Sequence, residues 1–121
     1  MHKLENLKVW NKAMDIAFDV YKLSANFPES EKFGLTRQIR RCAISVPSNI
    51  AEGAGRNTEK QFINFLGISN SSAYELQTQL LLSYRLNIVE KSKIIPIIDD
   101  VIEVQKMNYA LIKSLERKIK P

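Results

Sequence analysis

The sequence predicts an all-α fold, an antiparallel up-down-up-down four-helix bundle built as a single domain over residues 1–121. Four long stretches carry apolar residues at the three- and four-residue spacing of an amphipathic helix. Short breaks separate them, and short connections place consecutive helices side by side. No stretch shows the apolar–polar alternation of a half-buried strand. A chain of 121 residues is long enough for one hydrophobic core.

The first helix is expected to begin after Asn6, whose side chain can cap its free amides, and to run to the break at Pro28. Its apolar residues cover a wider arc than one core contact needs. They are Val9, Trp10, Ala13, Met14, Ile16, Ala17, Val20, Tyr21, Ala25 and Phe27. Such a wide arc indicates burial on two sides, either deep in the bundle or against another subunit.

The second helix contains the most informative stretch of the chain, residues 37–56. Its apolar and polar residues fall in opposite arcs when each residue is rotated by about 100°. The apolar arc contains Leu35, Ile39, Cys42, Ala43, Val46, Ile50 and Ala54. Pro47 removes one backbone hydrogen bond inside the helix and therefore predicts a kink. The helix should end near Gly53 or Gly55, since glycine readily adopts the left-handed closing conformation.

Residues typical of helix ends predict where the third and fourth helices begin and end. Thr58 and Gln61 have the spacing of a capping box, so a third helix should begin there and reach about Leu86. Small residues in its middle favour close approach of a neighbouring backbone. Residues 87–92 then turn the chain into the fourth helix, where Pro96 is tolerable in or near the first turn.

Composition limits the compartment and the class of partner. Eighteen Lys and Arg against 13 Asp and Glu give a net charge of +5, which permits an anionic partner without requiring one. The single Cys42 excludes an internal disulfide and favours an intracellular compartment. The N-terminus has no secretory signal, and no run is long enough to span a membrane. The sequence therefore predicts a cytoplasmic protein that does not enter a membrane.

Catalytic patterns are sparse, and the sequence predicts neither an enzyme nor a cofactor. The only histidine is His2, near the terminus, which argues against a histidine base and a histidine-containing metal site. A di-iron bundle needs Glu-x-x-His units, which the chain lacks, so no metal is expected. Residues 53–58 resemble a phosphate-binding loop, but they lack its Lys-Ser/Thr ending and preceding strand. We interpret them as a helix stop and restart.

Basic residues form the candidate nucleic-acid contacts. Arg37, Arg40 and Arg41 share one helical face, and guanidinium groups suit phosphates as well as carboxylates across a subunit interface. A second cluster ends the last helix, where it also complements the helix dipole. Aromatic residues interleaved for base stacking are not evident, so any binding should be backbone-led. The candidates are Arg37, Arg40, Arg41, Arg56, Lys60, Lys113, Arg117 and Lys118.

A second set of residues on the same helix favours architecture over chemistry. Ser45 and Asn49 are short hydrogen-bonding groups with no base to activate a serine. Glu52 lies 11 residues from Arg41, too far for a pair within one helix, which suggests an Arg–Glu pair between subunits. Ile44 on the polar arc suggests that part of this face is covered. The predicted structural or oligomer motif is Ile44, Ser45, Pro47, Asn49, Glu52 and Gly53.

Residues 34–53, 60–66 and 73–80 resemble the bacterial four-helix bundle proteins named after the intervening sequences of 23S ribosomal RNA genes. The resemblance spans residues 7–115, and Asn49-Ile-Ala-Glu-Gly53 after the paired arginines is its most specific part. It implies a bundle that assembles into a homopentamer. Relatives include accessory proteins of diversity-generating retroelements, which bind nucleic acid beside a reverse transcriptase. The resemblance implies no enzymatic activity, and the role of most members is unsettled.

Two functional hypotheses follow. In the first, a non-catalytic oligomer binds RNA or DNA phosphates through its arginines, and the ring multiplies weak contacts by avidity. In the second, the protein is a structural or adaptor homo-oligomer whose arginines hold the subunits together and whose partner is another protein. Replacing Arg40 and Arg41 by Ala distinguishes them, since the first predicts lost nucleic-acid binding and the second predicts dissociation.

Overall fold

The computed structural model describes residues 2–119 and is helical throughout its regular structure. Four α-helices follow one another, with no strand among the described residues. They are α1 (Lys8–Ser24), α2 (Leu35–Ala54), α3 (Glu59–Arg85) and α4 (Lys91–Ile119). One-turn 3₁₀ segments precede α1 at Leu4–Asn6 and α2 at Glu29–Glu31. Within residues 2–119, no helix combines the length and the apolar character that crossing a lipid bilayer requires.

Helices that are consecutive in the chain pack side by side, and α1 also packs on α4, which closes a four-helix bundle. Hydrogen bonds join Val46 to Ser69 and Ser45 to Ser72, so α2 and α3 run in opposite directions. The pairs Asn108–Ser69 and Gln105–Gln77 show the same for α3 and α4. The predicted all-α bundle is confirmed. The full up-down-up-down order and the kink at Pro47 stay predictions.

The core lies along the bundle axis and receives apolar side chains from every helix. The apolar arc predicted for α2 is buried from Ile39 to Ala54, and Leu35 at its start is half-buried. Pro47 is buried inside α2, which continues past it. The largest fully buried side chains include Ile16 from α1, Ile50 from α2, Leu66, Leu76 and Leu80 from α3, and Ile94 and Leu115 from α4.

The start of α1 differs from the sequence prediction. The helix begins at Lys8, and its N-cap is Leu7, which makes no side-chain capping bond. The amide group of Asn11 instead donates to the carbonyl oxygens of Glu5 and Leu7, both at 3.1 Å. By contrast, the predicted cap at Thr58 is present, because its Oγ1 accepts from the Gln61 backbone N–H at 3.1 Å.

The end of α2 corrects the predicted role of its glycines. No glycine among residues 2–119 has positive φ, and Gly55 closes α2 with a φ of −85°. At Gly53, an added Cβ would lie 2.8 Å from Phe62 Cδ1 and 2.8 Å from Phe65 Cβ. Gly53 therefore allows α2 to pack closely against α3, and the left-handed ending predicted for it is wrong.

Candidate functional site

A shallow depression at the N-terminal end of α2 collects positive charge. Its volume is about 560 Å³, and Lys32 together with three arginines of α2 lines it. Arg37 and Arg41 are exposed, and neither has a carboxylate within ion-pair distance among residues 2–119. We call this the basic depression; its lining is Tyr21, Lys32, Phe33, Thr36, Arg37, Arg40, Arg41 and Ile44. No carboxylate belongs to that lining, and the one carboxylate within ion-pair distance of Lys32 is that of Glu29, at 4.0 Å.

Arg40 differs from the other two arginines because α1 holds its side chain. Its Nε donates to Ser24 Oγ at 2.7 Å, and one terminal nitrogen donates to the Tyr21 carbonyl at 3.2 Å. The guanidinium carbon lies 4.6 Å from the centre of the Tyr21 ring. Arg40 is accordingly half-buried, and it fixes a positive charge at the base of the depression while joining α1 to α2.

Aromatic side chains meet the arginines here, although none is interleaved with them in the sequence. Phe33 is 78% exposed, the highest value among the large hydrophobic side chains of residues 2–119. Tyr21 is also exposed and reaches the depression from α1. Phe33 precedes α2 in the chain and Tyr21 belongs to another helix, so no single helical pattern could reveal the group. In the sequence, the one feature that pointed to this group is the apolar Phe33 within an otherwise polar connection.

The remaining basic candidates lie toward the other end of the bundle. Arg56 follows the end of α2 and Lys60 is exposed in the first turn of α3. Because α4 runs antiparallel to α3, Lys113, Arg117 and Lys118 lie toward this same end and are exposed. The Glu116 carboxylate lies 3.4 Å from Lys113 Nζ and raises the pKa of that amine. The structure thus divides the predicted set into two groups instead of one surface.

Glu52 has a partner within its own chain. Its Oε2 accepts from Arg56 at 3.1 Å, four residues further along, and the Arg56 guanidinium lies 4.8 Å from the Phe65 ring centre. The sequence had suggested a partner for Glu52 on another subunit, because Arg41 lies too far away within the helix. The pair within the chain occupies Glu52 without excluding a contact between subunits, so the pair between subunits stays a prediction.

The short polar residues of α2 make hydrogen bonds to α3 and within α2. Ser45 Oγ and Ser72 Oγ are 2.8 Å apart, and Asn49 donates to the Ser45 carbonyl at 2.8 Å and to its Oγ at 3.0 Å. Ser69 Oγ donates to the Val46 carbonyl at 2.8 Å. These contacts are structural in character, since each hydroxyl is engaged with a neighbouring helix.

Ile44 and Cys42 border the same region with opposite exposure. Ile44 is 44% exposed and lines the basic depression. Cys42 is buried and its thiol donates to the Ser72 carbonyl at 3.3 Å. Burial, followed by the neighbouring Glu75 carboxylate, raises the pKa of the Cys42 thiol to about 12. The thiol therefore stays protonated at neutral pH.

Acidic side chains of α1 and α4 come close together, and none of them lines the basic depression. Burial raises the pKa of Asp19, and the carboxylates of Asp100 and Asp15 raise it further. Lys22 opposes that shift. The nearest ion pair joins Lys12 Nζ to Asp100 at 3.2 Å. Within residues 2–119, no three His, Cys, Asp or Glu side chains are grouped as metal ligands. His2 packs its ring 5.0 Å from that of Phe62.

Comparisons with known proteins agree with this architecture. A solved structure with a TM-score of 0.81 is a protein of unknown function from the S23 ribosomal protein family of Bacteroides thetaiotaomicron. It is 27% identical, and the match covers 87% of this chain and 95% of that one. No curated protein matches the chain. The family model described as 23S rRNA-intervening sequence protein matches residues 5–110. The chain belongs to the 23S rRNA-intervening sequence protein family.

Proposed function

We propose that the protein is a non-catalytic homo-oligomer that binds RNA or DNA through the phosphate backbone. The observation that carries the proposal is the basic depression, where Lys32, Arg37, Arg40 and Arg41 converge without a carboxylate in the lining. Arg37 and Arg41 are exposed with their donors available to an anion. One guanidinium group can donate two hydrogen bonds to the oxygens of one phosphate, so this arrangement suits a nucleic-acid backbone.

The distribution of charge supports an anionic partner at this end of the molecule. The chain carries a net charge of +5, and among residues 2–119 Glu29, 4.0 Å from Lys32 Nζ, is the one carboxylate within ion-pair distance of the four lining cations, so the depression keeps a net positive charge. Repetition of one basic depression in a ring multiplies weak contacts by avidity. A homopentamer, the assembly that the resemblance implies, presents five such depressions in one particle.

Salt-dependent binding tests the proposal. Fluorescence anisotropy with labelled RNA and DNA of mixed sequence measures the affinity at several salt concentrations. We expect affinity to fall steeply with salt, and the double variant Arg37→Ala/Arg41→Ala to reduce the slope of log affinity against log salt by about 2. Arg85→Ala/Lys106→Ala removes two exposed charges outside the basic depression and serves as the matched control. Binding that is insensitive to salt contradicts the proposal.

The second candidate is a structural or adaptor homo-oligomer whose partner is another protein. A groove of about 480 Å³ at the C-terminal end of α3 favours it, since Leu81, Leu82 and Ile95 are exposed there. Exposed apolar groups of this kind mark protein interfaces. Native mass measurement distinguishes the candidates: the double variant Arg37→Ala/Arg41→Ala keeps its assembly under the first and dissociates under the second.

Arg40 is tied to α1, whereas Arg37 and Arg41 are exposed. Arg40 bonds to Ser24 and Tyr21, so its removal disturbs the contact between α1 and α2 as well as the surface charge. Arg37 and Arg41 are exposed, so replacing them changes the surface charge alone. Circular dichroism of each variant checks that the helices are retained.

A further inference from the structure

We propose that the basic depression selects single-stranded nucleic acid over duplex, with one base stacked on Phe33 while Arg37 and Arg41 contact neighbouring phosphates. The inference rests on the proposed function and specifies its ligand. It depends on an exposed aromatic ring, two free guanidinium groups and a fixed positive charge that border one depression.

Phe33 presents an aromatic surface that the fold itself does not use. The side chain is 78% exposed in the connection just before α2. Lys32 Nζ lies over the ring, 5.5 Å from its centre, so the ammonium covers one face of the ring and a base would stack on the opposite face. Every base has a π-face that can stack on such a ring without regard to sequence.

The arginines supply phosphate contacts within reach of that ring. Arg37 and Arg41 are four residues apart on α2, which separates their backbones by about 6 Å along the helix axis. Both are exposed beside Phe33 in the lining of the depression. Arg40 cannot swing toward a ligand because Ser24 and Tyr21 hold it, but its charge remains at the base. Backbone contact and base stacking are thereby available together.

Duplex nucleic acid can contact the arginines of this surface but not the Phe33 ring. Its bases are stacked inside the helix, so it offers phosphates to the arginines and no free base face to Phe33. A single strand offers both, and base–aromatic stacking is the usual source of sequence-tolerant single-strand binding. An acidic protein segment or a second copy of the chain would also meet the charge, but neither requires a base-sized aromatic platform.

Three labelled probes separate stacking from charge by fluorescence anisotropy at low salt: a short oligothymidylate, an abasic strand of equal length and a duplex of equal length. We expect the oligothymidylate to bind at least about fivefold more tightly than the abasic strand and more tightly than the duplex; equal or tighter binding of the duplex would overturn the selection. Phe33→Ala should reduce its affinity to that of the abasic strand and leave abasic and duplex binding unchanged.

Phe18→Ala is the matched control. Phe18 is 64% exposed on α1, and Lys22 Nζ lies 5.5 Å from its ring centre, yet it does not line the basic depression. Its removal should leave all three affinities unchanged. Equal loss in the Phe18→Ala variant would show a general effect of surface apolarity and overturn the inference.

Each other result also decides the matter. Equal affinity for the oligothymidylate and the abasic strand, or normal oligothymidylate binding by Phe33→Ala, overturns stacking and leaves backbone binding intact. Absence of binding to all three probes overturns the proposed function itself. A change in the native mass of the Phe33→Ala assembly would identify a second copy as the occupant of this surface, and would overturn the inference.

Discussion

At Gly53 the end of α2 packs directly on two phenylalanines of α3. Phe62 is buried and Phe65 is half-buried, and neither leaves room for a Cβ at position 53. Gly67 has the opposite environment, because a Cβ there would meet nothing within 4 Å. The two positions therefore respond to the same substitution in opposite directions.

We expect Gly53→Ala to destabilise the protein by about 1–3 kcal/mol, since an overpacked contact forces the two helices apart. Gly67→Ala, in the interior of α3, should stabilise it by up to about 1 kcal/mol through higher helix propensity. Chemical denaturation measures both free energies of unfolding. Equal effects of the same sign at the two positions would refute the role assigned to Gly53.

The three neighbouring arginines show how position within a helix leaves the role of a residue open. Spacing places Arg37, Arg40 and Arg41 on one face, and the structure gives them that face. Only Arg40 meets Ser24, a residue 16 positions earlier in the chain. A contact between residues so far apart depends on the packing of α1 against α2, which the pattern within α2 does not encode.

At the scale of elements, the turn between α3 and α4 is set by one residue in the left-handed region. Asn87 has a φ of 60° and is the single non-glycine residue with positive φ among residues 2–119. Its N–H bonds to the Tyr84 carbonyl at 2.9 Å, and the Ile88 N–H bonds to the Ser83 carbonyl at 3.0 Å. This is a Schellman ending, in which Asn replaces the more common Gly.

Asn87→Ala should destabilise the protein by about 1 kcal/mol because alanine tolerates the left-handed conformation less well than asparagine. Asn87→Gly is the control and should leave stability unchanged or slightly higher, since glycine adopts this conformation without strain. Thermal unfolding of the two variants checks the order. If alanine and glycine have the same effect, backbone conformation does not explain the preference for asparagine.

At the scale of the whole molecule, a buried polar contact joins three helices. Ser69 of α3 donates to the Val46 carbonyl of α2 and accepts from the Asn108 amide of α4 at 3.2 Å. Ser69 and Asn108 are fully buried, and the Asn108 Oδ1 has no hydrogen-bond partner among the described residues. Such a contact fixes the relative positions of the helices, while the oxygen without a partner reduces what it contributes to stability.

The effect of Asn108→Leu should therefore depend on Ser69. In the natural chain the change loses one hydrogen bond and also removes an unpaired oxygen, so stability should shift by less than about 1 kcal/mol. In a Ser69→Ala background, where the Asn108 amide has lost its bond to Ser69, the same change should stabilise by about 1–3 kcal/mol. Denaturation of the four proteins measures the difference. An identical effect in both backgrounds would contradict the coupling.

The helical bundle, the core residues of α2 and the cap at Thr58 could all be predicted from the sequence. These features follow from periodicity and from contacts within a few residues, which a pattern along the chain records. Three features became visible only once the helices were packed: Arg40 is held by α1, Gly53 is required by close packing, and Phe33 and Tyr21 border the arginines. Each of these features depends on two segments that core packing brings together. Apolar burial constrains which helix faces meet, but it does not determine which polar side chains become neighbours at the surface.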